Sequence, residues 1–295
     1  MPDVSSPAVV KELLNRHNLA CRKSLGQNFL VDANIINKIV KTANLSKDDL
    51  VVEIGPGLGA LTLPLAKVAS KVLAVEIDRG LATLLPEITA AAGNVEIIAS
   101  DALKTDIDAL AAEKTGGLYG AGGRPYKLVA NLPYYITSPL LMHVLSNRYN
   151  VSELIVMVQR EVAVRLAAPA GSKAYGVLSV AAQYYSDVEI VFYLPGTVFY
   201  PTTAVDSAVV RLSARQPQVI TGDEGAFFKV VRAAFAKRRK TLLNSLASGL
   251  GIEKGDLATL LKDVGLDPSR RGETLTLTDF AELTNRILEL YKQVE

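Results

Sequence analysis

The chain has 295 residues, 49% of them hydrophobic and 21% charged, with a formal net charge of +2. This is the composition of a compact protein with a sizeable core, and so small a net charge means that any basic binding surface must be local. One cysteine, Cys21, excludes an internal disulfide and a cysteine metal cluster, and the two histidines, His17 and His143, are far apart, so no metal is expected. No apolar run reaches the length of a membrane span and no signal-peptide hydrophobic region opens the chain, which makes a reducing cytoplasm the default expectation.

In chain order, residues 7–19 are expected to form one helix. The stretch Arg22-Lys-Ser-Leu-Gly-Gln-Asn-Phe-Leu30 then brings two cations, a glycine and two amides together before Asp32 opens another helical pattern. It reads either as a surface turn or as a ligand-contacting arm. Leu50–Ile54 is a buried strand running into Gly55-Pro-Gly-Leu-Gly59, with a helix to about residue 69. Strands follow at 71–76 and 95–98, the first leading into a helix through Leu81, Leu84 and Leu85. Residues 116–124 are rich in glycine and are expected to be a flexible insertion that adds nothing to a packed core.

A strand at 126–130 ends at Asn131-Leu-Pro-Tyr134, followed by a helix over 138–147 and a strand at 155–158. The apolar positions after Arg160 give no clean helical period. Late strands at 188–192 and 208–212 are expected to be antiparallel at one edge. Beyond about residue 224 the pattern is helical, with Phe227, Phe228, Val231 and Phe235 on one face. The expectation is an α/β domain over 1–218 and a small all-helical domain over 219–295.

The candidate site lies at the carboxyl ends of the strands, where open α/β sheets bind ligands. Gly55, Gly57 and Gly59 allow a tight turn that brings backbone amides close to a ligand, and Glu76 follows about 20 residues on, positioned to hold a ribose. These features alone fit a dinucleotide cofactor as well. Asp101 and Asn131 at the next two strand ends shift the balance, because they add acceptors for an adenine amine. Pro133 restricts Leu132, holding the Asn131 carboxamide and the Leu132 carbonyl beside the Tyr134 ring. Two fixed acceptors and a stacking face suit adenine; the alternative is an Asx-type turn with packed tyrosines.

With these residues in place, the sequence resembles the ribosomal RNA small-subunit adenine N6,N6-dimethyltransferases. The likeness is carried by Lys23–Leu30, Glu53-Ile-Gly-Pro-Gly-Leu-Gly-Ala-Leu-Thr62, Glu76-Ile-Asp78, Ser100-Asp101, Asn131–Tyr135, Gln159-Arg-Glu161, Val205-Asp-Ser207 and Phe235–Lys240. The resemblance implies a class I methyltransferase, with a seven-stranded mostly parallel sheet and a small C-terminal all-helical domain. S-adenosylmethionine would be its cofactor, with no metal.

Carried over residue by residue, the resemblance implies cofactor contacts from Gln27, Asn28, Leu30, Gly55, Gly57, Gly59, Glu76, Ile77, Asp101, Ala102 and Asn131. It implies a catalytic group of Asn131, Leu132, Tyr134 and Phe199. The expected partner is small-subunit rRNA in an immature subunit, bound by a monomer through Arg22, Lys23, Lys237, Arg238, Arg239 and Lys240. A solvated face is the alternative for the basic run. Thr203 and Ala204 stand where such sequences usually carry proline and lysine. Two rival functions are methylation of a large-subunit rRNA adenine and a non-catalytic assembly factor.

Overall fold

A computed structural model describes residues 4–22, 25–216, 223–237 and 239–294. Helix α1 (Pro7–Arg16) opens on a proline, whose fixed φ and missing N–H suit a first helical turn. It stops short of residue 19 because Asn18 takes a φ of 53°. Strand β1 (Phe29–Leu30) precedes α2 (Ala33–Thr42), which is capped by Asp32 accepting from the Asn34 and Ile35 amides. Strands and helices then alternate through β2 (Leu50–Ile54), α3 (Thr62–Val68), β3 (Lys71–Glu76), α4 (Arg79–Thr89) and β4 (Val95–Ala99). The alternation continues with α5 (Ile107–Thr115), β5 (Tyr126–Asn131), α6 (Thr137–Ser146) and β6 (Val151–Gln159). Short helices α7 (Arg160–Leu166) and α8 (Val177–Tyr185) lead to β7 (Ser186–Leu194), β8 (Phe199–Tyr200) and β9 (Ser207–Ala214). Helices α9 (Glu224–Phe235), α10 (Leu242–Leu250), α11 (Lys254–Asp263) and α12 (Leu277–Val294) complete the order.

The chain divides into two compact units, Met1–Ala163 with Asp187–Ala214, and Val164–Ser186 with Arg215–Glu295. The junction expected between 218 and 219 lies outside the described residues. The division also places α8 in the helical unit, although it precedes β7 in the chain. Sequence had no clear signal for this excursion, because the apolar residues after Arg160 lack a regular period.

In the first unit a seven-stranded sheet runs in the order β4-β3-β2-β5-β6-β9-β7. Strands β4, β3, β2, β5 and β6 pair in parallel, and β9 pairs antiparallel with β6, as expected for the late strands. Every residue of β2 is buried, which is why it reads as an apolar run interrupted only by Glu53. On one face Val51, Val129 and Ile155 pack with Ile36 and Ile39 of α2 and Leu65 of α3. A second cluster joins Leu13 and Leu14 of α1 to Leu81, Leu84 and Ile88 of α4, with Phe29 and Leu58 between them. Phe29 and Leu30 also pair with Tyr200 and Phe199 in a separate two-stranded sheet, too short to show a period in sequence.

The glycine-rich segment 116–124 corrects the expectation of a flexible, coreless insertion. Tyr119 is buried, its hydroxyl donates to the Asp48 carbonyl, and Arg124 lies over its ring at 5.7 Å. Asn150 Nδ2 donates to the Gly120 and Gly123 carbonyls. A side chain at Gly120 would collide with the Asp108 backbone, so glycine there permits a close packing contact instead of mobility.

In the helical unit, Tyr184 and Tyr185 of α8 meet Phe227 and Phe228 of α9, with ring centroids 4.8 Å apart for Tyr184–Phe227 and 5.7 Å for the stacked Tyr185–Phe228. Phe280 of α12 closes the cluster against Phe227 and Phe235. Truncating the fully buried Phe227 to alanine is expected to cost about 3–5 kcal/mol in the stability of this unit. Urea unfolding of the full chain, followed by tyrosine fluorescence, checks this; a loss below about 1 kcal/mol would mean the cluster repacks.

Candidate active site

Parallel register brings the ends of β2, β3, β4 and β5 to one edge of the sheet, and residues following each strand line a single cavity. The loop after β2 carries Gly55, Gly57 and Gly59 at φ values of 70°, 61° and 84°, which only glycine adopts without strain. The Phe29 ring lies 3.2 Å from where a Cβ on Gly57 would stand, so a side chain there would press on the ring.

Glu76, the last residue of β3, is buried and lines the cavity. Its Oε2 accepts from the Gly57 amide at 3.2 Å and its Oε1 from the Asp78 amide at 2.8 Å. Burial pushes its pKa up, offset in part by those two N–H donors. Ile77 lines the same cavity although it is 46% exposed, offering an uncovered apolar face. Asp101 follows β4; its Oδ1 accepts from the Leu103 amide at 3.0 Å, while Lys104 Nζ stands 4.0 Å from Oδ2. Ala102 is buried in the cavity wall.

Asn131 ends β5, and its Nδ2 donates to the Asn28 carbonyl at 3.1 Å. That bond orients the carboxamide and leaves Oδ1 as the acceptor. The Leu132 amide donates to the Met157 carbonyl, tying the next residue to β6. The Pro133 carbonyl accepts from Ile136 N and Thr137 Oγ1, forming the turn into α6. Tyr134 is half-buried, with its hydroxyl 3.1 Å from Ser207 Oγ at the start of β9.

The N-terminal arm closes one side of this cavity. Gln27 Nε2 donates to Asp78 Oδ2 at 2.9 Å, and its Oε1 accepts from the Arg22 amide at 2.8 Å. Arg22 Nε lies 3.3 Å from the same Asp78 oxygen. Gln27 therefore lines the cavity with both polar ends engaged by protein, and Arg22 anchors the arm to α4, whose N-cap is Asp78. Leu30 and Phe199 line the cavity too, but both are buried in the core. Phe199, expected in the catalytic group, is a buried ring in the cavity wall, on a residue paired with Leu30 in the β1–β8 ladder. Among the basic residues, Lys237, Arg239 and Lys240 are exposed in the helical unit; Lys23 and Arg238 lie outside the described residues.

Four residues acquire roles that sequence did not assign. Asp78 and Ser207 stood inside recognised motifs, and the Asp–x–x helix start was a legible capping signal for Asp78. Tyr135 lines the cavity 3.4 Å from where a Gly26 Cβ would stand, and burial, Asp101 and Glu76 together raise its phenol pKa. Glu53 lines the cavity from β2, is buried beside Thr62, and its Oε2 has no hydrogen-bond partner among the described residues.

Residues 18–287 match the family described as ribosomal RNA adenine dimethylase. The chain belongs to the ribosomal RNA adenine dimethylase family. Within the family, it is 58% identical over 288 residues to the ribosomal RNA small subunit methyltransferase A of Pelotomaculum thermopropionicum, covering 97% of this chain and 98% of that protein. It is 51% identical to the protein of that name from Moorella thermoacetica, over 97% and 99% of the two chains. Among solved structures, a dimethyladenosine transferase from Plasmodium falciparum superposes with a TM-score of 0.71 at 25% identity, covering 88% of this chain and 96% of that one. The 23S rRNA methyltransferase ErmE gives 0.66 at 26%, covering 88% and 99%.

This rRNA dimethylase family member carries a titration marker in Glu53, whose pKa is pushed up to about 8 by burial, opposed by Thr62 and reinforced by Glu76. The folded protein holds that proton while an unfolded chain releases it near the ordinary value of 4.5. Its contribution to stability is complete below that value and is lost as pH rises towards 8. Between those limits Glu53 is expected to lower stability by about 1.4 kcal/mol per pH unit. Urea unfolding across this range should show that slope in the parent protein and lose it in Glu53→Gln; parallel curves would mean Glu53 is ionised in the fold.

Proposed function

We propose that the cavity takes S-adenosylmethionine together with a target adenine, and that the enzyme dimethylates N6 of two adjacent adenosines near the 3′ end of small-subunit rRNA during ribosome maturation. The chain is an rRNA adenine dimethyltransferase, as its family and relatives establish. The observation that carries the proposal is the Asn131 carboxamide, held by Asn28 with Oδ1 as acceptor in a cavity that also holds Glu76 and Asp101. The small-subunit target is favoured by relatives that carry that name at 58% and 51% identity, against 26% for the large-subunit enzyme.

The donor set fits the cofactor. Glu76 is an acceptor for ribose hydroxyls, Asp101 for an exocyclic amine, and Ile77 offers an apolar surface for a purine ring. The loop of Gly55, Gly57 and Gly59 gives close backbone approach, with Gln27, Asn28, Leu30 and Ala102 completing the walls. When bound, S-adenosylmethionine supplies an electrophilic methyl group on a sulfonium.

Adenine N6 is a weak nucleophile because its lone pair is delocalised into the ring. Asn131 Oδ1 and the Leu132 carbonyl accept from N6–H and favour a pyramidal nitrogen. Both acceptors gain in strength as positive charge grows on nitrogen, so they stabilise the transition state more than the ground state. No strong base is needed, since the alkylated nitrogen is acidic enough to lose its proton afterwards. Tyr134, braced by Ser207, stacks on the extruded base and offsets part of the unstacking cost. The exposed Lys237, Arg239 and Lys240, with Arg238 and Lys23, contact RNA phosphates.

Replacing Glu76 with alanine should weaken S-adenosylmethionine binding by about 1.5–3 kcal/mol in a folded protein. Titration calorimetry measures this directly, and unchanged affinity would remove Glu76 from the site. Asn131→Ala should leave cofactor and RNA association largely intact while slowing methyl transfer by roughly two orders of magnitude or more. Single-turnover methylation of undermodified small subunits, with mapping of the modified adenines, tests both the role and the target. A rate within about threefold of the parent would overturn the role, and a parent enzyme that leaves small subunits unmodified but methylates large subunits offered in parallel would overturn the target.

A further inference from the structure

The helical unit contains a second cavity, lined by Lys237, Lys240, Asn244, Ser248, Glu253 and Lys254. Its walls come from the turn before α10, one side of α10, and the first residues of α11. Gly251 makes this geometry possible: it caps α10 at a φ of 71°, its amide donating to Ala247, and turns the chain so that Lys254 returns beside Ser248. Lys254 is thus fourteen positions beyond the basic run in sequence but shares a cavity with it.

The polar groups here are unbalanced. Lys237 Nζ donates to Ser248 Oγ at 3.1 Å, which holds one ammonium at the wall. The side chains of Lys240 and Lys254 have no hydrogen-bond or ion-pair partner among the described residues. The single acid, Glu253, is turned onto its own helix, where its carboxylate accepts from the Gly255 and Asp256 amides. Asn244 Nδ2 donates one hydrogen to Thr241 Oγ1 at 2.8 Å and retains its second. Three ammonium groups around one cavity outnumber its one carboxylate, which is taken up by backbone amides, so a bound anion would relieve their mutual repulsion. Compact cations with neutral N–H and O–H donors beside them match the tetrahedral oxygens of a phosphate.

We propose that this cavity is a seat for the backbone phosphate of RNA, in which Lys254 extends the contacts of the Lys237–Lys240 run onto a second helix. The inference rests on rRNA being the substrate and adds a defined subsite to that interaction. It also separates cations that act together at one point from cations that only raise the local potential.

The test compares Lys254→Gln with Lys262→Gln, an equal change of charge at an exposed lysine of α11 outside the cavity. Binding is measured against salt with protein-free small-subunit rRNA transcript and with immature small subunits. Loss of one phosphate contact should lower the magnitude of the logarithmic salt slope by about 0.7–0.9, so that the affinity lost between about 50 and 200 mM salt shrinks roughly threefold. Lys254→Gln should show this on both RNA and particles, Lys262→Gln should match the parent, and Lys254→Arg should keep the parent slope. S-adenosylmethionine binding should be the same in all four proteins. Equal behaviour of the two glutamine variants would overturn the seat in favour of a diffuse field. A defect seen with particles and absent with bare RNA would overturn it in favour of an acidic ribosomal protein. Failure of the parent itself to bind rRNA would sink the proposed function, a result distinct from a parent that binds and a Lys254→Gln variant that binds equally well.

Discussion

Two backbone amides converge on the carboxylate of Glu76, and the shape of the active-site cavity depends on that convergence. Gly57 donates from the loop after β2 and Asp78 donates from the turn after β3. One side chain therefore fixes two turns that belong to adjacent parallel strands. The loop accepts the constraint because its glycines occupy the left-handed region, where a Cβ would add strain at each turn. Burial makes the carboxylate costly to ionise, and the two N–H donors reduce that cost. The same residue thus organises the frame of the cavity and supplies it with an acceptor.

From Asp78 the constraint spreads to the N-terminal arm. Its one oxygen caps α4 and the other receives Gln27 and Arg22, so the arm is fastened to the helix that follows Glu76. Once fastened, the arm places Phe29 against Gly57 and the Asn28 carbonyl against Asn131. The Asn131 carboxamide is oriented by a residue 103 positions earlier in the chain. Pairing of Phe29 and Leu30 with Tyr200 and Phe199 holds the other side. Thr203 and Ala204 belong to the loop beyond this pairing, and the Thr203 amide donates to the Gly196 carbonyl.

Much of this architecture was legible in the chain. The apolar runs at 50–54 and 71–76 read as buried strands, and their alternation with helices called for a parallel sheet. Glycines at three alternate positions, an acid at the end of the next strand, and Asn131-Leu-Pro-Tyr134 pointed to one crevice at the strand ends, and residues of all three stretches line a single cavity there. The helical character of the C-terminal part was equally plain from the spacing of its phenylalanines.

Tertiary structure decided what those residues touch. Sequence spacing cannot show that Gln27 and Arg22 converge on Asp78, that Phe199 becomes a wall, or that α8 joins helices beginning some forty residues later, since each is a contact between distant segments. Glycines at 116–124 have low intrinsic order, but close backbone approach around Tyr119 and Asn150 turns that permissiveness into a packing requirement. The chain by itself determined the chemistry on offer: which acceptors, cations and turns exist, and at which strand ends. Folding determined their pairing, because orientation and burial belong to neighbours that only the three-dimensional arrangement brings together.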